Sequence, residues 1–302
     1  MRKDPVHLVN LDDLPLATIT RILDVAGEIE AGKAGHQQAM NGAVLCPLFL
    51  QESSRTYINS VTSFQRLGGT VLPLNLKNTR LGSSWSEPVQ DFMALVSATC
   101  DLVIARVPEA SMLASITEAA KIPVINAGNG SGNGSDHPMQ ALVDLYVINK
   151  TRETERPRIL MVGGKHIRTT RSQMKLFHRV GFEMAFVAPE SPVRNDDLPS
   201  DLTEGSVHYP DVRSAPLSEY DYIYHNGFDE DPNRKSTENY VIGRSVLEQA
   251  GFRGKVLHSL PRLNELSQDV DDTSYNRYFM QMEKAKYVFQ STFLYMKEQN
   301  DG

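Results

Sequence analysis

Along the chain, short runs that are apolar on both faces alternate with stretches whose apolar positions recur every three or four residues. The runs at 43–50, 70–74, 101–107 and 122–126 predict buried strands, and the periodic stretches between them predict helices. In 54–67, Ile58, Val61, Phe64 and Leu67 keep helical spacing until Gly68-Gly69 stops it. Leu14, Ile19, Ile22, Leu23 and Val25 do the same behind Asp12-Asp13, which predicts an acid-capped helix. Glu87-Pro88 opens another helix through Val96, and a further one covers 111–120. From 158 the pattern starts over, with strands at 158–164, 183–188, 222–225 and 255–258 and helices at 170–180 and near 241–249. A final amphipathic helix carries Tyr287, Phe289, Phe293 and Met296. Alternation of this kind predicts parallel sheets covered on both faces, an α/β fold.

Two glycine-rich places interrupt the pattern. Gly163-Gly164 lacks the rest of a G-x-G-x-x-G fingerprint and predicts a tight strand-to-helix turn, not a dinucleotide loop. The stretch 127–136 (AGNGSGNGSD) has the composition of a flexible linker.

Chemistry enters at the junction of the first predicted strand and the helix that follows it. Ser53, Ser54, Arg55 and Thr56 sit on the first helical turn, where N–H groups lack backbone partners and the helix dipole is positive. Three hydroxyls and a guanidinium there make a socket for a dianionic phosphate. Taken alone, the same residues also suit an N-cap serine beside a surface arginine.

The chain's 302 residues leave room for two domains of ordinary size, and its composition is globular. A net charge of −6 argues against a nucleic-acid partner while leaving a local arginine cluster free to hold an anion. Cys46 and Cys100 stand in apolar surroundings without metal-ligand spacing and predict buried, reduced thiols. The N-terminus has no apolar signal core, and no run approaches the roughly 18 apolar residues of a membrane span. A soluble, cytoplasmic protein with no membrane partner is expected.

Three blocks occur in order: Ser53-Ser54-Arg55-Thr56, His137-Pro138-Met139-Gln140-Ala141-Leu142-Val143-Asp144-Leu145, and His258-Ser259-Leu260-Pro261-Arg262-Leu263-Asn264-Glu265. Together they resemble the aspartate/ornithine carbamoyltransferase family, from about residue 10 to about residue 293. The resemblance implies two doubly wound parallel-sheet domains joined by interdomain helices. Residues 1–136 would bind carbamoyl phosphate and 137–284 the amino-acid acceptor, with 285–302 returning to the first domain. It implies that Ser53, Ser54, Arg55 and Thr56 hold the phosphate, and that Thr56, Arg106 and His137 form an oxyanion hole at the carbonyl oxygen. Gln140 and the carbonyls of Leu260 and Pro261 would accept from the carbamoyl NH2, and Arg168 would grip the acceptor's α-carboxylate. No metal or organic cofactor is required, and the implied assembly is a homotrimer. Arg106 as a strand-end ion pair and His137 as a helix cap are the ordinary alternatives.

The acceptor half departs from the family pattern. The aspartate enzymes place a lysine in the loop that reaches the neighbouring subunit's site; here Ser84 or Trp85 stands there, with Arg80 or Lys77 as the nearby cations. Where those enzymes carry R-x-Q after the strand ending Tyr224-His225, this chain has Asn226-Gly227-Phe228 and then Asp229-Glu230-Asp231, which would repel a dicarboxylate. Ser259 replaces a proline, and the D-x-x-x-S-M-G motif of the ornithine enzymes is missing. The expectation is a carbamoyltransferase, with aspartate as the acceptor by resemblance or another amino acid met by Arg168, Asn226, Phe228 and Leu260. The alternative is a non-catalytic homologue that serves as a binding or assembly subunit.

Overall fold

The computed structural model describes residues 4–33, 35–74, 87–164, 167–188, 206–228 and 238–301. The chain forms two compact units, Met1–Leu142 with Lys284–Gly302, and Val143–Glu283.

The first unit is built on a four-stranded, all-parallel sheet in the order β2-β1-β3-β4. Its strands are β1 (Val44–Phe49), β2 (Thr70–Val71), β3 (Leu102–Val107) and β4 (Val124–Asn129). Helices α1 (Leu16–Glu30), α2 (Ser54–Arg66), α3 (Val89–Thr99) and α4 (Ala110–Ala119) accompany it. On one face of the sheet, Cys46 and Leu48 of β1 and Val103, Ala105 and Val107 of β3 meet Phe92, Met93, Val96, Leu113 and Ile116 in one core. Leu45, Leu102 and Ile104 on the other face are buried as well. That packing is why the strands read as unbroken apolar runs. Both cysteines are buried and free, and burial pushes the Cys46 thiol up to about 12. The last helix, α8 (Tyr278–Asn300), contributes its part from Lys284 onward. There Phe293 meets Phe64 edge-on at 5.2 Å, and Lys284 pairs with Glu30 at 2.8 Å.

Three local expectations change in this unit. Pro15, not an aspartate, stands at the N-cap of α1, so Asp12-Asp13 precede the helix without capping it. The strand expected over 70–74 is two residues long. Most consequentially, 127–136 is no floppy linker. Strand β4 runs on through Asn129, and two buried asparagines knit the rest. Asn126 Oδ1 accepts from Gly128 N at 2.8 Å, Asn129 Oδ1 accepts from Asp136 N at 2.7 Å, and Asn129 Nδ2 donates to Gly134 O at 3.2 Å. Composition signals flexibility only where side chains leave the backbone groups unpaired.

The second unit holds a five-stranded parallel sheet in the order β7-β6-β5-β8-β9. Its strands are β5 (Arg158–Val162), β6 (Glu183–Val187), β7 (Val207–Tyr209), β8 (Tyr222–His225) and β9 (Lys255–His258). Helices α5 (Pro138–Thr151), α6 (Arg168–Arg179) and α7 (Arg244–Gln249) complete the set, with the unit boundaries falling inside α5 and α8. Gly163 has φ +127°, and a Cβ there would lie 2.3 Å from Gly227 O, so this turn admits only glycine. Helix α6 begins at Arg168, two residues earlier than the periodicity suggests. The short edge strand β7 has no counterpart in the apolar pattern, because its residues are largely exposed.

Candidate active site

In open parallel sheets, ligands bind beyond the carboxyl ends of the two strands from which the strand order runs in opposite directions. In the first unit those strands are β1 and β3; in the second they are β5 and β8. Of the described residues singled out in the sequence, Ser53 to Thr56 and Arg106 follow β1 or end β3, and Arg168, Asn226 and Phe228 follow β5 or β8. His137 and Gln140 open α5, and Leu260 and Pro261 follow β9.

In the first unit, β1 ends at Phe49 in register with Arg106, and Leu50 N donates to Arg106 O at 2.8 Å. Five residues after the end of β1, α2 begins. Ser53 is its N-cap in extended backbone (φ −168°, ψ 104°), but its side chain makes no capping hydrogen bond. The hydroxyl is therefore not spent on the helix. Thr56 is buried, Ser53 and Arg55 are half-buried, and Ser54 is exposed. Burial lowers the Arg55 guanidinium from its ordinary value. Arg262, by contrast, is bound to Asp271 and is raised.

Among the described residues, Arg106 bonds to a carbonyl and an imidazole. Its Nη1 donates to Ala127 O at 3.1 Å and lies 3.3 Å from His137 Nε2. A bulge in β4 between the pairs Ala105–Asn126 and Val107–Asn129 takes Ala127 out of the ladder register, which leaves its carbonyl for Arg106. His137 is buried and precedes α5. Gln140 N donates to His137 O at 3.1 Å and approaches the ring Nδ1 at 3.4 Å, so the cap and the arginine partner are one residue. A neutral imidazole accepts at one ring nitrogen only, so Arg106 Nη1 at Nε2 and Gln140 N at Nδ1 compete for the one acceptor His137 offers. Gln140 is half-buried, one turn into α5.

In the second unit, the carboxyl end of β8 carries neutral groups, and the connection from β5 brings in one described cation. Arg168 is the half-buried first residue of α6. Asn226 is buried; its Nδ2 donates to Gln173 Oε1 at 2.7 Å, while its Oδ1 has no hydrogen-bond partner. Gln173 Nε2 donates to Asp144 Oδ2 at 2.7 Å, and Gln281 Nε2 donates to Asp144 Oδ1 at 2.6 Å. Gln281 Oε1 accepts from His258 N at 2.9 Å. One buried carboxylate thus organises a chain of amides reaching the ends of both β8 and β9. Phe228 packs against Tyr240 at 4.9 Å and His225 at 5.7 Å. Leu260 is half-buried, has φ +49° and is joined to the exposed Pro261 by a cis peptide bond. Arg80, Ser84 and Trp85, and the acidic run 229–231, lie outside the described residues.

Sequence reasoning quoted Asp144 and His258 within its blocks and named His225 at a strand end without giving any of them a role, and it gave none to Gln173 or Gln281. Asp144 did leave a signal, as the single carboxylate in the otherwise apolar stretch 141–148. Among the described residues, no group of three or more His, Cys, Asp or Glu is placed to hold a metal ion, and no helix is long and apolar enough to cross a membrane.

Residues 6–150 match the family model of the aspartate/ornithine carbamoyltransferase carbamoyl-P binding domain, and residues 156–296 match that of the Asp/Orn binding domain. The chain belongs to the aspartate/ornithine carbamoyltransferase family. The aspartate carbamoyltransferase catalytic subunit of Archaeoglobus fulgidus is 31% identical over 289 residues, covering 91% of this chain and 93% of that relative. That of Vibrio campbellii is 30% identical over 300 residues, 94% of each chain. The solved catalytic subunit of M. jannaschii aspartate transcarbamoylase is 28% identical, with a TM-score of 0.83 over 98% of this chain and 99% of that one. Aspartate transcarbamoylase from Trypanosoma cruzi, solved with carbamoyl phosphate and aspartate, shares the fold at a TM-score of 0.84 and 24% identity, over 96% of this chain and 95% of that one. The two switch points described above are therefore those of a carbamoyltransferase fold.

Proposed function

We propose that this chain moves the carbamoyl group of carbamoyl phosphate onto the amine of an amino acid and releases phosphate. The observation that carries the proposal is the placement of Arg106 and His137, 3.3 Å apart, at the switch point where α2 opens with Ser53, Ser54, Arg55 and Thr56. The amine nitrogen attacks the carbonyl carbon, the bond from that carbon to the phosphate oxygen breaks, and the departing phosphate takes up the amine's proton. Ser53, Ser54 and the free N–H groups of α2 hold the phosphate, and Arg55 meets the charge that builds on it. Thr56, Arg106 and His137 stabilise the carbonyl oxygen as it becomes negative. An oxygen arriving beside Arg106 takes an arginine N–H and frees Nε2 of His137 to carry a proton of its own. Gln140 and the carbonyls of Leu260 and Pro261 accept from the carbamoyl NH2. Residues 1–136 with 285–302 serve carbamoyl phosphate, and 137–284 the acceptor.

Aspartate is the acceptor named for the relatives, and it is the first choice here. The neutral, partly aromatic stretch Asn226-Gly227-Phe228 supports a second reading, an acceptor whose α-carboxylate meets Arg168 and which brings no second carboxylate. A homotrimer, in which the loop bearing Arg80, Ser84 and Trp85 serves a neighbouring subunit, and a cytoplasmic location complete the proposal.

The test is phosphate release by the purified chain from carbamoyl phosphate, with aspartate, ornithine and a panel of other amines. Release with aspartate supports the first choice, and release with a different amine alone names that amine instead. No release with any amine, while carbamoyl phosphate still binds, would overturn transfer in favour of a non-catalytic homologue.

A further inference from the structure

At the carboxyl ends of β8 and β9 two histidines stand in register, His225 opposite His258, with rings stacked at 5.9 Å and planes 24° apart. Each ring is wired the same way. His225 Nδ1 accepts from Gly227 N at 3.0 Å, and its Nε2–H donates to Tyr240 O at 3.0 Å. His258 Nδ1 accepts from Leu260 N at 2.7 Å, and its Nε2–H donates to Glu265 Oε1 at 2.9 Å. A backbone N–H can only donate, so Nδ1 is bare in both rings, and the neutral Nε2–H form fits both. Glu265 then closes a circle, since its two carboxylate oxygens also accept from Leu263 N at 3.1 and 3.0 Å. One imidazole–carboxylate pair thereby ties residues 258–265 at both ends.

Inside that circle lies Leu260, the one non-glycine residue with positive φ among the described residues. Leucine avoids this conformation because its Cβ crowds the following carbonyl, and it persists only where the surroundings over-determine it. The twin clamp at His225 holds Gly227, which adopts φ +73° without steric cost. The same wiring therefore has work to do at Leu260 that it does not have at Gly227.

We propose that His258 is a positioning residue: by holding the Leu260 N–H at Nδ1 it sets the torsion that aims the Leu260 carbonyl at the substrate's carbamoyl NH2. This rests on the transfer reading above, in which that carbonyl accepts from the substrate. The ring touches neither substrate nor reacting atoms; Glu265 keeps its proton on Nε2, and the bare Nδ1 does the holding.

Two variants separate the parts. In His258→Asn the side-chain oxygen takes the place of Nδ1 and can still accept from Leu260 N, as in an Asx-turn. In His258→Gln the amide reaches toward Glu265 and leaves Leu260 N without its acceptor. Calorimetric titration of the full chain uses carbamoyl phosphate and, separately, inorganic phosphate. Inorganic phosphate has no NH2 and reports on the Ser53–Thr56 socket alone. The expected result is that His258→Gln weakens carbamoyl phosphate by about tenfold or more, roughly one well-made hydrogen bond, with inorganic phosphate unmoved and His258→Asn restoring most of the loss. Equal weakening of both ligands, no weakening, or an asparagine variant as poor as the glutamine one overturns the proposal. If the unaltered chain does not bind carbamoyl phosphate, the transfer reading fails first and takes this one with it. Nitrogen-15 spectra of labelled histidine in the unaltered chain need no variant: an Nε2–H form for His258 supports the clamp, and an Nδ1–H form overturns it.

Discussion

The two switch points occupy the same place in their sheets and are furnished in opposite ways. At the end of β1 and β3 stand cations, hydroxyls and a helix N-terminus: Arg55, Arg106, Thr56 and the opening of α2. At the end of β5 and β8 stand neutral amides and imidazoles drawn round one buried carboxylate, Asp144. The first arrangement leaves donors where an anion can take them; Ser53 does not cap, and burial without compensation among the described residues lowers Arg55. The amides of the second spend their donors on one another and secure the shape of the loops leaving β8 and β9, while half-buried Arg168 opens α6 beside them. A doubly wound sheet thus supplies a place for chemistry twice over, while the side chains decide whether that place grips a ligand or braces a loop.

The contrast can be broken most forcefully in the first unit. Replacing Arg106 with alanine removes a donor aimed at the developing oxyanion and is expected to lower the rate of carbamoyl transfer by about a hundredfold to a thousandfold. Steady-state phosphate release measures it, and a loss of less than tenfold would mean that Arg106 supports the loop through Ala127 rather than the reaction.

A smaller effect, on stability, is expected from Asp144→Asn in the second unit. The carboxylate accepts from two amides, at 2.7 and 2.6 Å; asparagine offers one oxygen and one NH2. Turning Gln281 to suit it would bring donor against donor at His258 N, and turning Gln173 requires Asn226 to turn with it. The expected cost is about 1–3 kcal/mol, read from the urea unfolding curve. An unshifted midpoint would show that the amide chain does not brace this unit.

The smallest effect appears only on acidification. Burial, and then the neighbouring His258, lower the pKa of His225 from 6.5, so the folded chain keeps the ring neutral while the unfolded chain takes up a proton. Stability from this group is therefore present above about pH 6.5 and falls as pH drops below it, by up to about 1.4 kcal/mol per pH unit. His225→Asn keeps an acceptor for Gly227 N and is expected to flatten that part of the slope, whatever it costs at neutral pH. Urea midpoints between pH 7 and pH 5 are the measurement, and parallel curves for the two proteins would rule out a buried neutral ring as the cause.

Period and spacing carry a long way in this chain. The strand-to-helix junction at 49–54 and the buried run at 102–107 were legible because apolar periodicity is a local property, set by which face of an element is buried. Arg106, His137 and the Ser53–Thr56 block stood out by their order along the sequence, and the fold brings Arg106 and His137 within 3.3 Å. The N-cap of α1 was misjudged because acids ahead of a helix are common signals, whereas here the chain enters through Pro15. Exposed β7 escaped notice because it has too few buried residues to leave a pattern.

By itself, then, the sequence determined the alternation of elements, the parallel sheets and the residue types offered to an anion. Those follow from rules that act within a few residues. Tertiary structure alone decided that Asn126 and Asn129 order the glycine-rich stretch, and that Gln281 crosses 137 positions of sequence to reach Asp144. It also decided that Leu260 is held in a left-handed turn by a histidine two residues before it and a glutamate five residues after it. A buried polar group must find its partner wherever the fold brings one, and no local period announces where that will be.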